Sequence, residues 1–209
     1  MYTEDIAETI AAFSLNHQLY ADDTQLQKTL RIVDINTTRV NLELRVAAIK
    51  DWCSSRWLQL NADKTELIWL GSRSNIKKLT QAETRLQLGS TTSESAAVVR
   101  NLGIYMASDL NMRIHIGKMA AICFFHLRRL RQLRFVLTSS SMQRLVSAFI
   151  ISRVNYCNSV LFGPPAITLA PLQRVLQAAV RLVANLGYGD HVTTAMKELH
   201  WLPIANRIK

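Results

Sequence analysis

The sequence predicts an α+β fold in two parts. Residues 1–108 read as a mixed segment of hairpin, helix and short antiparallel strands, and residues 109–209 read as all-helical. Three observations carry that division. Up to about residue 108, short alternating runs of apolar and polar residues flank one helical stretch. Beyond Asp109 the apolar residues recur at steps of three and four, the period of a helix face. The charge changes at the same place: residues 1–111 hold 12 Lys/Arg and 13 Asp/Glu, a net −1, whereas residues 112–209 hold 13 Lys/Arg and two acids, Asp190 and Glu198, a net +11.

In chain order, residues 3–13 predict a short helix capped by Thr3, with Ile6, Ile10 and Phe13 on one face. Leu15 to Leu26 alternates and carries Ala21-Asp22-Asp23 at its middle, which predicts a β-hairpin with two carboxylates at or beside the turn. From Asn36 to Trp57 the pattern is helical, with Leu42, Val46, Ile49, Cys53 and Trp57 on one face. Thr65 to Leu70 predicts a strand stopped by Gly71-Ser72, and residues 73–84 a polar loop. Arg85–Leu88 and Val98–Met106 predict two more strands separated by a Ser/Thr-rich turn.

The second part predicts three main helices. Met112, Ile116, Met119, Cys123, Leu127 and Leu130 form the inner face of the first, opposite Arg128, Arg129, Arg131 and Arg134. Ser139 to Ser141 can cap the second, whose face is Met142, Leu145, Val146, Phe149 and Ile150, and Gly163-Pro164-Pro165 ends it. Leu172, Val175, Leu176, Ala179, Val180 and Val183 line the third, ended by Gly187 and Gly189.

Composition narrows the function classes. With 49% hydrophobic and 19% charged residues the chain can bury a core and is not of a disordered type. Seven glycines and no Gly-x-Gly-x-x-Gly or Gly-x4-Gly-Lys-Ser/Thr argue against dinucleotide-binding and P-loop folds. Cys53, Cys123 and Cys157 have no Cys-x2-Cys or His-x3-His partners for zinc, and read as reduced core residues of an intracellular protein, cytoplasmic or nuclear. Glu4, Asp5 and Glu8 do not fit a signal peptide. The longest uncharged run, between Arg153 and Arg174, is broken by Asn155, Asn158, Gly163 and three prolines, so no membrane partner is expected. The near absence of acids beyond residue 112 points to a polyanion, nucleic acid above all; the other reading is a basic surface kept for solubility.

An Asp-Asp pair on a hairpin turn can hold a divalent metal through hard oxygen ligands, although an isolated pair is equally an ordinary solvated turn. Here the frame is Tyr20-Ala21-Asp22-Asp23, hydrophobic on both sides and followed by a helix. Lys64 follows 41 residues after Asp23, in Trp57-Leu58-Gln59-Leu60-Asn61-Ala62-Asp63-Lys64-Thr65-Glu66. These motifs resemble the reverse transcriptases of LINE-type (non-LTR) retrotransposons. The resemblance extends through Asn101-Leu102-Gly103-Ile104, His115-Ile116, Ser152-Arg153-Val154-Asn155-Tyr156-Cys157-Asn158 and Leu199-His200-Trp201-Leu202-Pro203.

The resemblance implies a partial polymerase palm over residues 1–108 and a basic, thumb-like helical domain over 109–209. It implies that Asp22 and Asp23 ligate Mg²⁺ or Mn²⁺, and that Tyr20 and Ala21 lie near a primer end. Lys64 would stand near the incoming triphosphate, able to protonate leaving pyrophosphate, or else be a surface lysine flanking a strand. Leu102-Gly103 would form a primer-gripping hairpin, or else an ordinary turn. Arg128, Arg129, Arg131 and Arg134 would hold a template–primer duplex through its phosphates. His115 and His126 read as packing or capping residues.

The implied activity is RNA-directed DNA polymerisation, with an RNA template and a DNA primer as partners. The family's third carboxylate lies on a strand well upstream, whereas Asp22 follows Met1 by 21 residues. The isolated chain is therefore expected to be inactive and to want an N-terminal polymerase half. Ala107 and Asn155 stand where the family commonly has aspartate. Two further readings stay open: a non-catalytic nucleic-acid-binding protein derived from a retroelement, and an expressed remnant without selected function.

Overall fold

The computed structural model describes residue 10 and residues 15–21, 23–61, 64–80, 82–89 and 91–208. The fold is α+β, and it divides into two compact units. The first holds Met1–Val99 with Ala107–Leu110; the second holds Arg100–Met106 with Asn111–Lys209. The helix expected over residues 3–13 lies outside the described residues save for Ile10, which is fully buried.

In the first unit, β1 (Asn16–Tyr20) and β2 (Asp23–Gln27) pair antiparallel, with Leu19 opposite Thr24 and Tyr20 opposite Asp23. This is the hairpin that the alternation predicts. Leu19 and Leu26 pack on a small core of Ile10, Leu15, Ile49 and Cys53, the last two supplied by α1 (Ile35–Ser55). Trp57 departs from the predicted face: the helix stops at Ser55, and Trp57 is 98% exposed. The cause is a Schellman closure. Trp57 takes a left-handed φ of 58°, its N–H bonds to the Ser54 carbonyl at 3.2 Å, and the Leu58 N–H reaches the Cys53 carbonyl at 2.9 Å.

Thr65 to Leu70 is not the strand expected of it. One parallel bridge, Leu67 to Ser95, is all the pairing it makes among the described residues. Its partner run, Ser95 to Ala97, is the short link between two strands and offers no longer edge. Within the expected polar loop, α2 (Arg73–Ile76) forms one turn, capped by the Ser72 side chain. β3 (Arg85–Leu88) is as predicted, with Leu86 and Leu88 buried in alternation. Its partner is β4 (Thr91–Glu94), so the Ser/Thr-rich stretch is a strand rather than a turn; β-branched Thr suits an exposed edge. The Glu43 carboxylate accepts the Gln87 N–H at 2.9 Å and ties this hairpin to α1. The run Val98 to Met106 is likewise two strands, β5 (Val98–Asn101) and β6 (Ile104–Ala107), joined by Leu102-Gly103.

The second unit has the larger core. Ile116, Met119, Cys123, Leu127 and Leu130 of α3 (Arg113–Gln132) pack with Met142 and Val146 of α4 (Ser139–Val146), as the spacing predicts. Thr138, not Ser139 to Ser141, caps α4: its hydroxyl accepts the Ser141 N–H at 3.2 Å. A π-turn (Ser147–Ile151) and α5 (Ser152–Asn155) continue the rod. Its buried positions are Met142, Val146, Ile150 and Val154, strict steps of four. Such steps overshoot a 3.6-residue turn by about 40° each. The wider π-turn takes up that drift, keeps the series inside, and turns Phe149 outward, off the face expected of it. The rod ends at Asn155, before the predicted Gly163-Pro164-Pro165.

α6 (Ala166–Ala184) buries Leu172, Val175, Leu176, Ala179, Val180 and Val183 as predicted. Asn185, in the left-handed region at φ 55°, ends it, with the Leu186 N–H on the Arg181 carbonyl, so neither Gly187 nor Gly189 is the stop. α7 (Thr193–Glu198) and α8 (Ile204–Arg207) close the unit, with Trp201 and Ile204 buried against the helices. Among the described residues no helix is long and apolar enough to cross a membrane.

Candidate functional site

The sequence-predicted site residues fall in both units. In the first, the pairing of β1 with β2 runs to the rung of Tyr20 and Asp23, and Ala21 follows β1 directly. Ala21 has φ 54°, the positive value that tight hairpin turns require at their first position. Tyr20 and Asp23 face each other across the last rung, both exposed. Asp22 lies outside the described residues. Lys64 is exposed, and its N–H donates to the side-chain oxygen of Asn61, three residues earlier, at 3.2 Å. No ion pair joins Lys64 to Asp23 among the described residues. Within that set no three His, Cys, Asp or Glu side chains converge as a metal-binding group. Of the two carboxylates expected at the turn, Asp23 is among the described residues.

In the second unit, Leu102 (φ 43°) and Gly103 (φ 85°) occupy the positive-φ positions of a type I′ turn. The Tyr156 hydroxyl donates to the Leu102 carbonyl at 2.7 Å. A Cβ on Gly103 would stand 3.4 Å from Tyr156 Cε1, so glycine serves both the turn and the approach of the ring. Beside it, Lys118 Nζ lies 4.0 Å from the Tyr105 ring centre, and the Arg100 guanidinium lies 5.7 Å from it. His115 is buried, and its Nδ1 accepts the Tyr105 N–H at 3.4 Å. Nε2 then carries the proton and is buried without a partner, and burial lowers the His115 pKa. His115 is thus the packing residue the sequence predicts.

Arg128, Arg129 and Arg131 are exposed on the last turns of α3, where positive charge also complements the helix dipole. Arg134 follows in the next turn, half-buried, with its Nε enclosed. None of the four makes an ion pair among the described residues. Cys157 corrects the sequence reading: it is exposed at φ 48°, while Cys53 and Cys123 are buried. Tyr156, Arg100 and Lys118 escape periodicity, because their partners are a carbonyl and a ring that no helix or strand repeat relates to them.

Compared with family models, with curated proteins and with solved structures, the chain matches none.

Proposed function

We propose that the chain is a reverse-transcriptase-like protein whose second unit binds nucleic acid through its phosphates. The observation that carries this reading is the run Arg128, Arg129 and Arg131, exposed and unpaired by acids, in a segment of net charge +11. Its test is the salt dependence of binding to a labelled duplex. Counterion release makes the logarithm of affinity fall with the logarithm of salt, by about 0.9 per neutralised phosphate on B-form DNA. Replacing the three arginines by Ala should flatten that slope, by up to about 0.9 for each. An unchanged slope in the folded triple variant overturns the assignment.

A second reading is RNA-directed DNA polymerisation itself, with Asp22 and Asp23 as ligands for Mg²⁺ or Mn²⁺ and Lys64 as proton donor. It rests on the resemblance, and the observation that favours it is the register of β1 and β2, which sets the exposed Asp23 opposite Tyr20 at the last rung of the hairpin. Metal-dependent primer extension on an RNA template, abolished by Asp22→Asn, would support it. Extension indifferent to Asp22→Asn and Asp23→Asn would remove the metal assignment.

A further inference from the structure

On the outer side of α3 and the π-turn, three rings form one patch. His126 stacks on Phe149, with centres 5.3 Å apart and planes at 22°. Phe125 meets His126 edge-on at 5.5 Å. The Arg129 guanidinium stands 5.6 Å from the Phe125 ring. Phe125 is 47% exposed and Phe149 is 41% exposed, so both keep π-surface open to solvent. Burial and the charges of Arg153 and Arg129 together lower the His126 pKa, so the ring between the phenylalanines is neutral at pH 7.

A purely apolar partner would leave Arg129 and Arg153 desolvated and unmatched. A duplex presents phosphates but hides its base faces in the stack. An unpaired nucleotide supplies both parts, a flat base for the rings and a phosphate for the arginines. Charge complementarity agrees: Arg128, Arg129 and Arg153 make no ion pair among the described residues, and Asp190 and Glu198 are the only acids beyond residue 112.

We infer that Phe125, His126 and Phe149, with Arg129 and Arg153, form a stacking platform for an unpaired base of single-stranded nucleic acid. The inference rests on the nucleic-acid reading above and adds to it a strand type and a contact. The helix geometry suits it: without the π-turn, Phe149 would follow Met142 by seven residues onto the buried face.

The experiment measures anisotropy of labelled oligo-dT and oligo-U, and of a blunt duplex, with the full chain. Phe125→Leu/Phe149→Leu keeps apolar volume and removes the π-faces. It should weaken single-strand binding about tenfold or more, within the range that stacking of one or two bases supplies. Duplex affinity and the salt slope should stay as they are. Phe149→Trp should keep the affinity, and its added emission should be quenched by single strands but not by duplex; this arm stands even where the double variant fails to fold.

Loss of binding to neither oligomer in the folded double variant overturns the platform while leaving the arginine site intact. A wild-type chain that binds neither duplex nor single strand removes both readings. Conversion of a dimer to a monomer by the double variant, with oligonucleotide binding unchanged, makes the patch an interface between copies and also overturns the proposal.

Discussion

The Tyr156 hydroxyl donates to the Leu102 carbonyl at 2.7 Å, across 54 residues of sequence. This bond braces a turn that the local sequence disfavours. Leu102 sits at φ 43°, and the left-handed region costs an ordinary L-residue about 1–2 kcal/mol. A hydrogen bond returns about 0.5–1.5 kcal/mol, so the tie and the strain are comparable.

The first prediction follows from that balance. Leu102→Asn, which makes the preferred Asn-Gly pair of a type I′ turn, should raise stability by about 1 kcal/mol. Tyr156→Phe should lower it by about the same amount. Gly103→Ala should also lower it, through its φ of 85° and its approach to the Tyr156 ring. Urea unfolding of the three variants measures this; a destabilised Leu102→Asn would show that the Leu102 side chain matters more than the backbone strain.

The second prediction concerns the thiols. Burial pushes Cys123 up to about 11 and raises Cys53 as well, whereas Cys157 is exposed. The thiolate is the nucleophile, and access decides the rest. Iodoacetamide at pH 8 should therefore label Cys157 well ahead of the other two in the native chain, and all three alike in denaturant. Peptide mass mapping over time reads the order, and early labelling of Cys123 would contradict the described core.

The third prediction concerns acid. The His115 pKa is lowered by burial, so the unfolded chain takes up this proton at higher pH than the folded one. The folded state keeps its full margin above the unfolded value, about 6.5, and loses it as pH falls through the lowered folded value. Protonation would also remove the Nδ1 acceptor of the Tyr105 N–H. His115→Gln should flatten the acid side of the stability profile below about pH 6.5. His126, lowered too, contributes with the same sign, so the profile should flatten without becoming level.

Where an element buries a regular face, periodicity alone locates it. The series Ile116 to Leu130 and Leu172 to Val183 are buried as spacing predicts, and the Ala21 turn falls where the alternation breaks. Chain stops were less legible. Trp57, Asn185 and His200 each take a left-handed φ, at 58°, 55° and 54°, and glycine is at none of them. Hydrogen-bond closure from the following N–H groups sets these ends, and composition does not announce it. The polar strand Thr91–Glu94 lacks an apolar face to mark it, since Leu86 and Leu88 on its partner supply the burial. Of the candidate site, the arginine run was legible as charge facing away from a helix core. The ring patch was not: Phe149 shares the period of the buried face, and only the π-turn separates it from that face.

The last prediction tests Asn155, which stands where the resemblance commonly places aspartate. Its side-chain oxygen accepts from Arg207 Nη1 at 2.8 Å, and Asn158 Nδ2 donates to the Arg207 carbonyl at 2.7 Å. Arg207 Nε also donates to the Leu202 carbonyl at 2.7 Å, so α8 is held to the 155–158 segment through one side chain and its backbone. Burial lowers the Arg207 pKa, the mark of a guanidinium that has lost water and faces an amide rather than a carboxylate. Asn155→Asp keeps the shape and the acceptor and adds the missing charge. Stability at pH 7 should rise by about 0.5 kcal/mol, the scale of a partly exposed pair. The new carboxylate should titrate below its ordinary value, because Arg207 favours its charged form. The gain is then present above about pH 4, the unfolded aspartate value, and disappears as pH falls through the lower folded one. Arg207→Gln should abolish the gain, and the double-mutant cycle isolates the pair from other effects of either change. A gain that survives Arg207→Gln, or that persists at pH 2, would show that it comes from elsewhere than this pair.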